Sequence, residues 1–270
     1  MSGVKTASAL VLTTWDARVF GRALAVGTLA FVVAWLVTAA TDEGAVAWGV
    51  RAGRTLPMTP ICAALGTLIS LAPARAHGEL RALAALGRAP WQNALGSALG
   101  GASTALVAAT LMAASANVDV SGFFPVARHT ADYRYEAGGF IDRDHGWRID
   151  GDGSFTKLTE GDSSSAPPSD PLPPHARAAA SLATALAGLA LPMLAAFVSL
   201  SRPDSSVATR RARLARGSAA RASIAVVASA GATVLLFHGA AATRTPALLA
   251  AVPPALLLIF AIADFSRDST

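Results

Sequence analysis

Residues 77–91 read HGELRALAALGRAPW, and a long apolar run stands on either side of them. The stretch is too short and too charged to cross a bilayer, which takes about 20 apolar residues. Its spacing is nevertheless helical. Leu80, Leu83 and Gly87 fall along one side with Ala84, while Arg81 and Arg88 share another. Glu79 stands in the first turn, where exposed amides and the helix dipole favour a carboxylate. Gly87 suits a C-terminal cap, Pro90 bars continuation, and Trp91 would anchor the next run at the membrane interface. The pattern predicts a short helix at 77–88, lying along a membrane face between two spans.

Working outward, six apolar segments are each long enough to span, at approximately 23–40, 56–73, 92–115, 177–200, 222–240 and 246–263. The chain of 270 residues is 53% hydrophobic and only 14% charged, far below the charge of soluble domains. Mean hydropathy is +0.48. This composition marks an integral membrane protein. The first segment does not read as a cleaved signal peptide, because its apolar core is too long and five more spans follow. The expected fold is therefore an all-α polytopic membrane protein of six helices, three plus three, with a small, mostly β domain between helices three and four.

Charge sets the expected orientation. Lys5, Arg18 and Arg22 precede span one, and Arg75, Arg81 and Arg88 separate spans two and three. Arg202, Arg210, Arg211, Arg213, Arg216 and Arg221 separate spans four and five. All three regions fall on one side, which the positive-inside rule makes cytoplasmic, with both termini. The expected division is a cytoplasmic segment 1–22, spans one to three in 23–115, a loop 116–176, spans four to six in 177–264 and a tail 265–270. The loop, extracytoplasmic on this reading, holds ten of the 17 acidic residues against five basic ones. Its middle mixes aromatics, alternation and Gly-Asp turns, the mark of a few antiparallel strands, and its Pro/Ser-rich end reads as a linker.

No G-x-x-x-x-G-K-[ST] loop, H-E-x-x-H or G-x-S-x-G pattern occurs, so no catalytic residue, cofactor or nucleic-acid partner is expected. The single Cys62, inside a span, reads as a small hydrophobe. The spans are nearly empty of ionisable groups apart from His238, which argues against a proton- or sodium-driven machine. Asp142, Asp144, Asp150 and Asp152 crowd together but lack the glutamate and spacing of a calcium loop, so hairpin turns account for them and no metal is assigned. Gly96 and Gly100 form a G-x-x-x-G in span three, and span five contributes the small residues Ser229 and Gly231, all candidates for close helix packing or a lateral gate. Pro253 and Pro254 should kink span six.

From the residues alone, the 77–88 helix is equally admissible as a plain connector or as a docking element. The order of parts and the motif favour the second. Three spans, an outside domain, three spans and GELRALAALG after the second span together resemble the LptF/LptG (YjgP/YjgQ) family of lipopolysaccharide-export permeases. Glu79, Leu80, Ala82, Leu83, Ala85 and Gly87 occupy the places of the family's cytoplasmic-helix motif. LPMTPICAALGTLISLAPARAHGEL, PHARAAASLATALAGLALPMLAAF and TRTPALLAAVPPALLLIF are similar to its second, fourth and last spans.

The resemblance implies a non-enzymatic ABC transporter permease of the bacterial inner membrane. A separate cytoplasmic ATPase would engage Glu79, Leu80, Arg81, Leu83, Gly87 and Arg88. A second permease, identical or different, would pair with this one, and lipopolysaccharide or another lipid would enter between first and fifth spans. A periplasmic bridge protein would receive it. Two departures stand out. The outside loop is shorter than the family's β-jellyroll, and Asp42 and Glu43 lie where the family carries lipid-binding cations; Arg51 and Arg54 would serve as headgroup contacts only if their loop folds back. A diverged assembly or regulatory subunit that does not transport is the alternative expectation. A permease of the FtsX/MacB type would place its large domain after the first span.

Overall fold

Thr13 and Asp16 open the first long helix. The Thr13 hydroxyl accepts the Asp16 amide at 3.4 Å, and Asp16 Oδ2 accepts the Thr13 amide and hydroxyl at 2.9 and 2.8 Å. This reciprocal cap satisfies amides that a helix end leaves unpaired. Helix α1, Thr14–Thr41, therefore starts well before the expected residue 23, because the residues between carry no breaker. The computed structural model describes residues 13–41, 46–124, 133–136, 139–142, 147–157, 172–201 and 209–267.

The second span is composite. A short helix α2, Trp48–Thr55, runs through a 3-10 turn at Leu56–Met58 into α3, Thr59–Ala76. Helix α4 is Glu79–Ala85, α5 is Pro90–Ala114, α6 is Ala176–Ser201 and α7 is Thr209–Ala241. The arginine-rich stretch expected as a connection thus forms the first turns of α7. The sixth span begins as a 3-10 helix at Ala247–Ala251 and becomes α8, Val252–Arg267. Pro253 and Pro254 fall in the first turn of α8, where a missing amide costs nothing, so they open the α-helix instead of kinking it. Among the described residues, six helical stretches are long and apolar enough to cross a membrane.

Between the third and fourth of these stretches lies an antiparallel meander: β1 Tyr133–Glu136, β2 Gly139–Asp142, β3 Trp147–Asp150 and β4 Phe155–Lys157. Tyr133 faces Asp142, Phe140 faces Ile149, and Ile149 faces Phe155. Gly153, at φ 82°, closes the last hairpin, as the Asp-Gly letters predict. The residues just after α5 are not loose: Val118, Val120 and Phe124 are buried, and Phe123 and Phe124 pack against Phe237.

Helices α3, α5 and α6 form the centre, with α1 against α3 and α5, and α7 and α8 beside α6. The interfaces are built largely of alanine. Small side chains let membrane helices approach until dispersion forces and weak backbone contacts hold them. A Cβ on Gly100 would stand 2.3 Å from the Phe20 carbonyl oxygen and one on Gly96 3.0 Å from that of Asp16. In the most apolar part of each span, 50–56% of residues are buried in spans two, three and four, but only 11% in spans one and five. Spans one and five are thus the least covered by the chain itself.

Candidate functional site

Helix α4 owes its ends to two glycines. Gly78 precedes it at φ 71° and Gly87 follows at φ 81°. The Gly87 amide donates to Ala84 at 3.0 Å and the Arg88 amide to Leu83 at 3.1 Å, the paired bonds of a left-handed helix stop. Beyond it, the Gln92 side chain accepts the Ala89 amide at 3.0 Å, and α5 begins. A short helix is present and Gly87 caps it as the letters predict, but it is shorter than the expected 77–88, because the left-handed glycines Gly78 and Gly87 stop it at both ends. None of its residues is buried; Leu80 and Leu83 are half-buried, while Arg81 and Gly87 are exposed. Leu86 is 83% exposed, the most exposed of the chain's large hydrophobics among the described residues.

Arg88 departs from expectation. Helical spacing puts it beside Arg81 on an outward face, but the left-handed turn at Gly87 takes Arg88 off that face and aims it at α1. Its guanidinium donates to Asp16 Oδ1 at 2.5 Å and Thr13 Oγ1 at 3.2 Å. It also lies 5.4 Å from the centre of the Trp15 ring, a cation–π distance. The two side chains of the ion pair are only 15% and 5% exposed.

Glu79 is likewise engaged within the chain. Its Oε2 accepts the Trp15 indole N–H at 3.0 Å and an Arg18 N–H at 2.9 Å. Trp15 therefore reaches both ends of α4, one through its ring nitrogen and the other through its π face. Sequence reasoning missed Thr13, Trp15 and Asp16 because it began the span at the apolar run. The signal was present: TTWD, residues 13–16, is a threonine followed three residues later by an acid, directly before apolar residues.

The other expected residues lie elsewhere. Gly96 and Gly100 serve the contact of α5 with α1 inside the chain. On α7, the carbonyl of half-buried Ser229 accepts the Thr233 hydroxyl at 2.8 Å, and exposed Gly231 has no atom within 4 Å of where a Cβ would stand. Arg51 and Arg54 sit on α2, and both are engaged in interactions within the protein. That helix carries a second G-x-x-x-G that sequence reading passed over. Cβ atoms on Gly49 and Gly53 would collide with the Asn117 and Asp119 carbonyls, so α2 lies flush on the segment after α5.

At this same end Arg177 donates to the Met112 carbonyl at 3.0 Å, the Ala116 carbonyl at 3.2 Å and the Ser115 carbonyl. It neutralises the negative end of α5. Its signal was a lone base at the start of span four. In the hairpin, Arg148 holds Asp150 at 2.7 Å, and Asp152 accepts the Ser154 amide at 2.9 Å. That amide holds the Asp152 carboxyl below its ordinary pKa. The Asp152 carboxylate thus serves the turn and that of Asp150 pairs with Arg148, and no metal-holding group occurs among the described residues. Asp144, Asp42, Glu43 and Arg202 lie outside the described residues. Cys62 is buried in α3, and His238 is exposed in the last turn of α7.

The arrangement offers a short exposed helix, tipped by Leu86 and tied by polar contacts to the start of span one. Compared with family models, curated proteins and solved structures, the chain matches none of them.

Proposed function

We propose that this chain is the membrane-spanning subunit of an ABC transporter extracting lipopolysaccharide or a related large amphiphile from the inner membrane. A separate cytoplasmic ATPase drives it by docking on residues 77–88, and the chain itself catalyses nothing. The observation that carries the reading is α4: a short helix between the second and third long apolar helices, with no buried residue and Leu86 exposed at its tip. Its letters, GELRALAALG, resemble the docking motif of lipopolysaccharide-export permeases.

On this reading the α4 end is cytoplasmic together with both termini, and the small sheet is periplasmic, in keeping with the basic connections. The sparsely covered spans one and five face lipid and a second permease.

The test is purification of the full chain in mild detergent, followed by mass spectrometry of what accompanies it. A nucleotide-binding ATPase is expected, with hydrolysis stimulated by the lipid. Leu86→Glu should abolish the association, since the substituted side chain is exposed and touches no contact that holds α4 in place. Undiminished ATPase binding by that variant would remove the docking role.

One observation favours a second reading, a diverged assembly or regulatory subunit that does not transport. The sheet has four strands of three or four residues each, a small surface for handing lipid to a periplasmic bridge protein. ATPase activity indifferent to lipid, in a complex that still assembles, would select it.

A further inference from the structure

One face of α1 is uncovered along its length. Arg18, Arg22, Ala25, Leu29, Val33 and Leu36 recur at helical spacing, and every one of them is exposed. Leu29, Val33 and Leu36 are 63%, 52% and 60% exposed. No acid or base occurs from Ala23 to Ala40. That run measures about 27 Å as a helix, and a hydrocarbon core is roughly 30 Å thick. The stripe therefore has two parts. Its apolar part suits acyl chains, and at the end nearest α4 two arginines stand one turn apart, where the apolar run begins.

The charges at that end do not balance. Arg18 gives an N–H to Glu79 at 2.9 Å, and a guanidinium has five to give. Arg22 forms no ion pair or hydrogen bond among the described residues. Asp16, the one acid in α1, is buried and engaged by Arg88. Two exposed cations thus share one carboxylate, which leaves an excess of one positive charge. Gly21 beside them is exposed, with open space where a Cβ would stand, so the helix surface there admits a bulky group. An arginine at the edge of the apolar layer lays its stem on that layer and holds its head among the lipid headgroups. A phosphate diester offers it paired oxygens and a single negative charge.

We propose that this stripe is a binding site for an anionic glycerophospholipid, with the phosphate at Arg22 and Arg18 and an acyl chain along Leu29, Val33 and Leu36. A zwitterionic lipid fits less well, because its ammonium would stand among arginines. The site rests neither on the docking reading above nor on which side of the membrane carries α4.

The experiment uses the full chain in nanodiscs of phosphatidylglycerol and phosphatidylcholine in equal parts. A bimane fluorophore is attached through Val33→Cys in a Cys62→Ala background, and each lipid in turn carries brominated acyl chains, which quench the fluorophore on contact. Brominated phosphatidylglycerol is expected to quench more strongly than brominated phosphatidylcholine. Arg22→Gln should cut that preference roughly five-fold, the contribution of one arginine to binding an anionic lipid. Arg22→Lys, which keeps the charge, should retain most of it. Arg244→Gln, beyond the far end of α7, should leave it unchanged. Equal quenching by the two lipids, or a preference that survives Arg22→Gln, would overturn the site. So would quenching by neither lipid, since another protein chain would then cover the stripe.

Discussion

At the scale of single residues, burial separates side chains that look alike in the sequence. Asp16 and Glu79 are both acids near the start of a helix, and each has an arginine partner. Arg88→Gln should cost about 3–5 kcal/mol, because it leaves the buried Asp16 carboxylate without its cation. Glu79→Gln should cost about 1 kcal/mol or less. Thermal unfolding in detergent micelles reads both, and equal losses would contradict the difference in burial. Thr243 supplies a test with the opposite sign. It ends α7 in the left-handed region at φ 56°, with its amide on Ala240 and that of Arg244 on Gly239. Glycine is at ease in that conformation, so Thr243→Gly should stabilise the protein by about 1 kcal/mol.

At the scale of elements, the helices are set by where amides find partners and by which backbones must touch. Span one begins at Thr14 because Thr13 and Asp16 cap it, and the apolar count alone does not contain that information. Span six changes from a 3-10 to an α-helix just ahead of its two prolines. The α1–α5 contact depends on absent side chains. Gly100→Leu would drive a branched side chain into the Phe20 carbonyl, and the two backbones must separate. The expected result is loss of disulfide crosslinking between cysteines placed on facing turns of α1 and α5, together with a lowered melting temperature. Gly231→Leu, in open space on α7, should not destabilise the isolated chain, since leucine is the better helix former. A loss of the proposed pairing with a second membrane subunit in that variant would show that such a subunit uses this side of span five.

For the whole molecule, three central spans carry the packing, and spans one and five stand at the periphery. The proposed orientation is tested by cysteine accessibility in sealed inner-membrane vesicles. A cysteine at Ala82 should react with an impermeant maleimide only from the cytoplasmic side, and one at Ser154 only from the opposite side. Labelling of both from the same side would remove the topology, and the proposed docking of an ATPase on α4 with it.

The six spans, the short helix with its Gly87 stop and the hairpins between spans three and four were all legible in the letters, because each follows from local chemistry. Runs of apolar residues must leave water, glycine alone accepts the left-handed cap at little cost, and Asp-Gly pairs turn strands. The destinations of Glu79 and Arg88 were not legible. Arg18 and Trp15 lie 61 and 64 positions before Glu79, and helical spacing can say which residues share a face but not which distant helix arrives there. Tertiary packing alone brought the start of span one beneath α4. It did so because Gly96 and Gly100 let α1 lie against α5, and because the turn at Gly87 redirected Arg88 from the medium to a buried carboxylate.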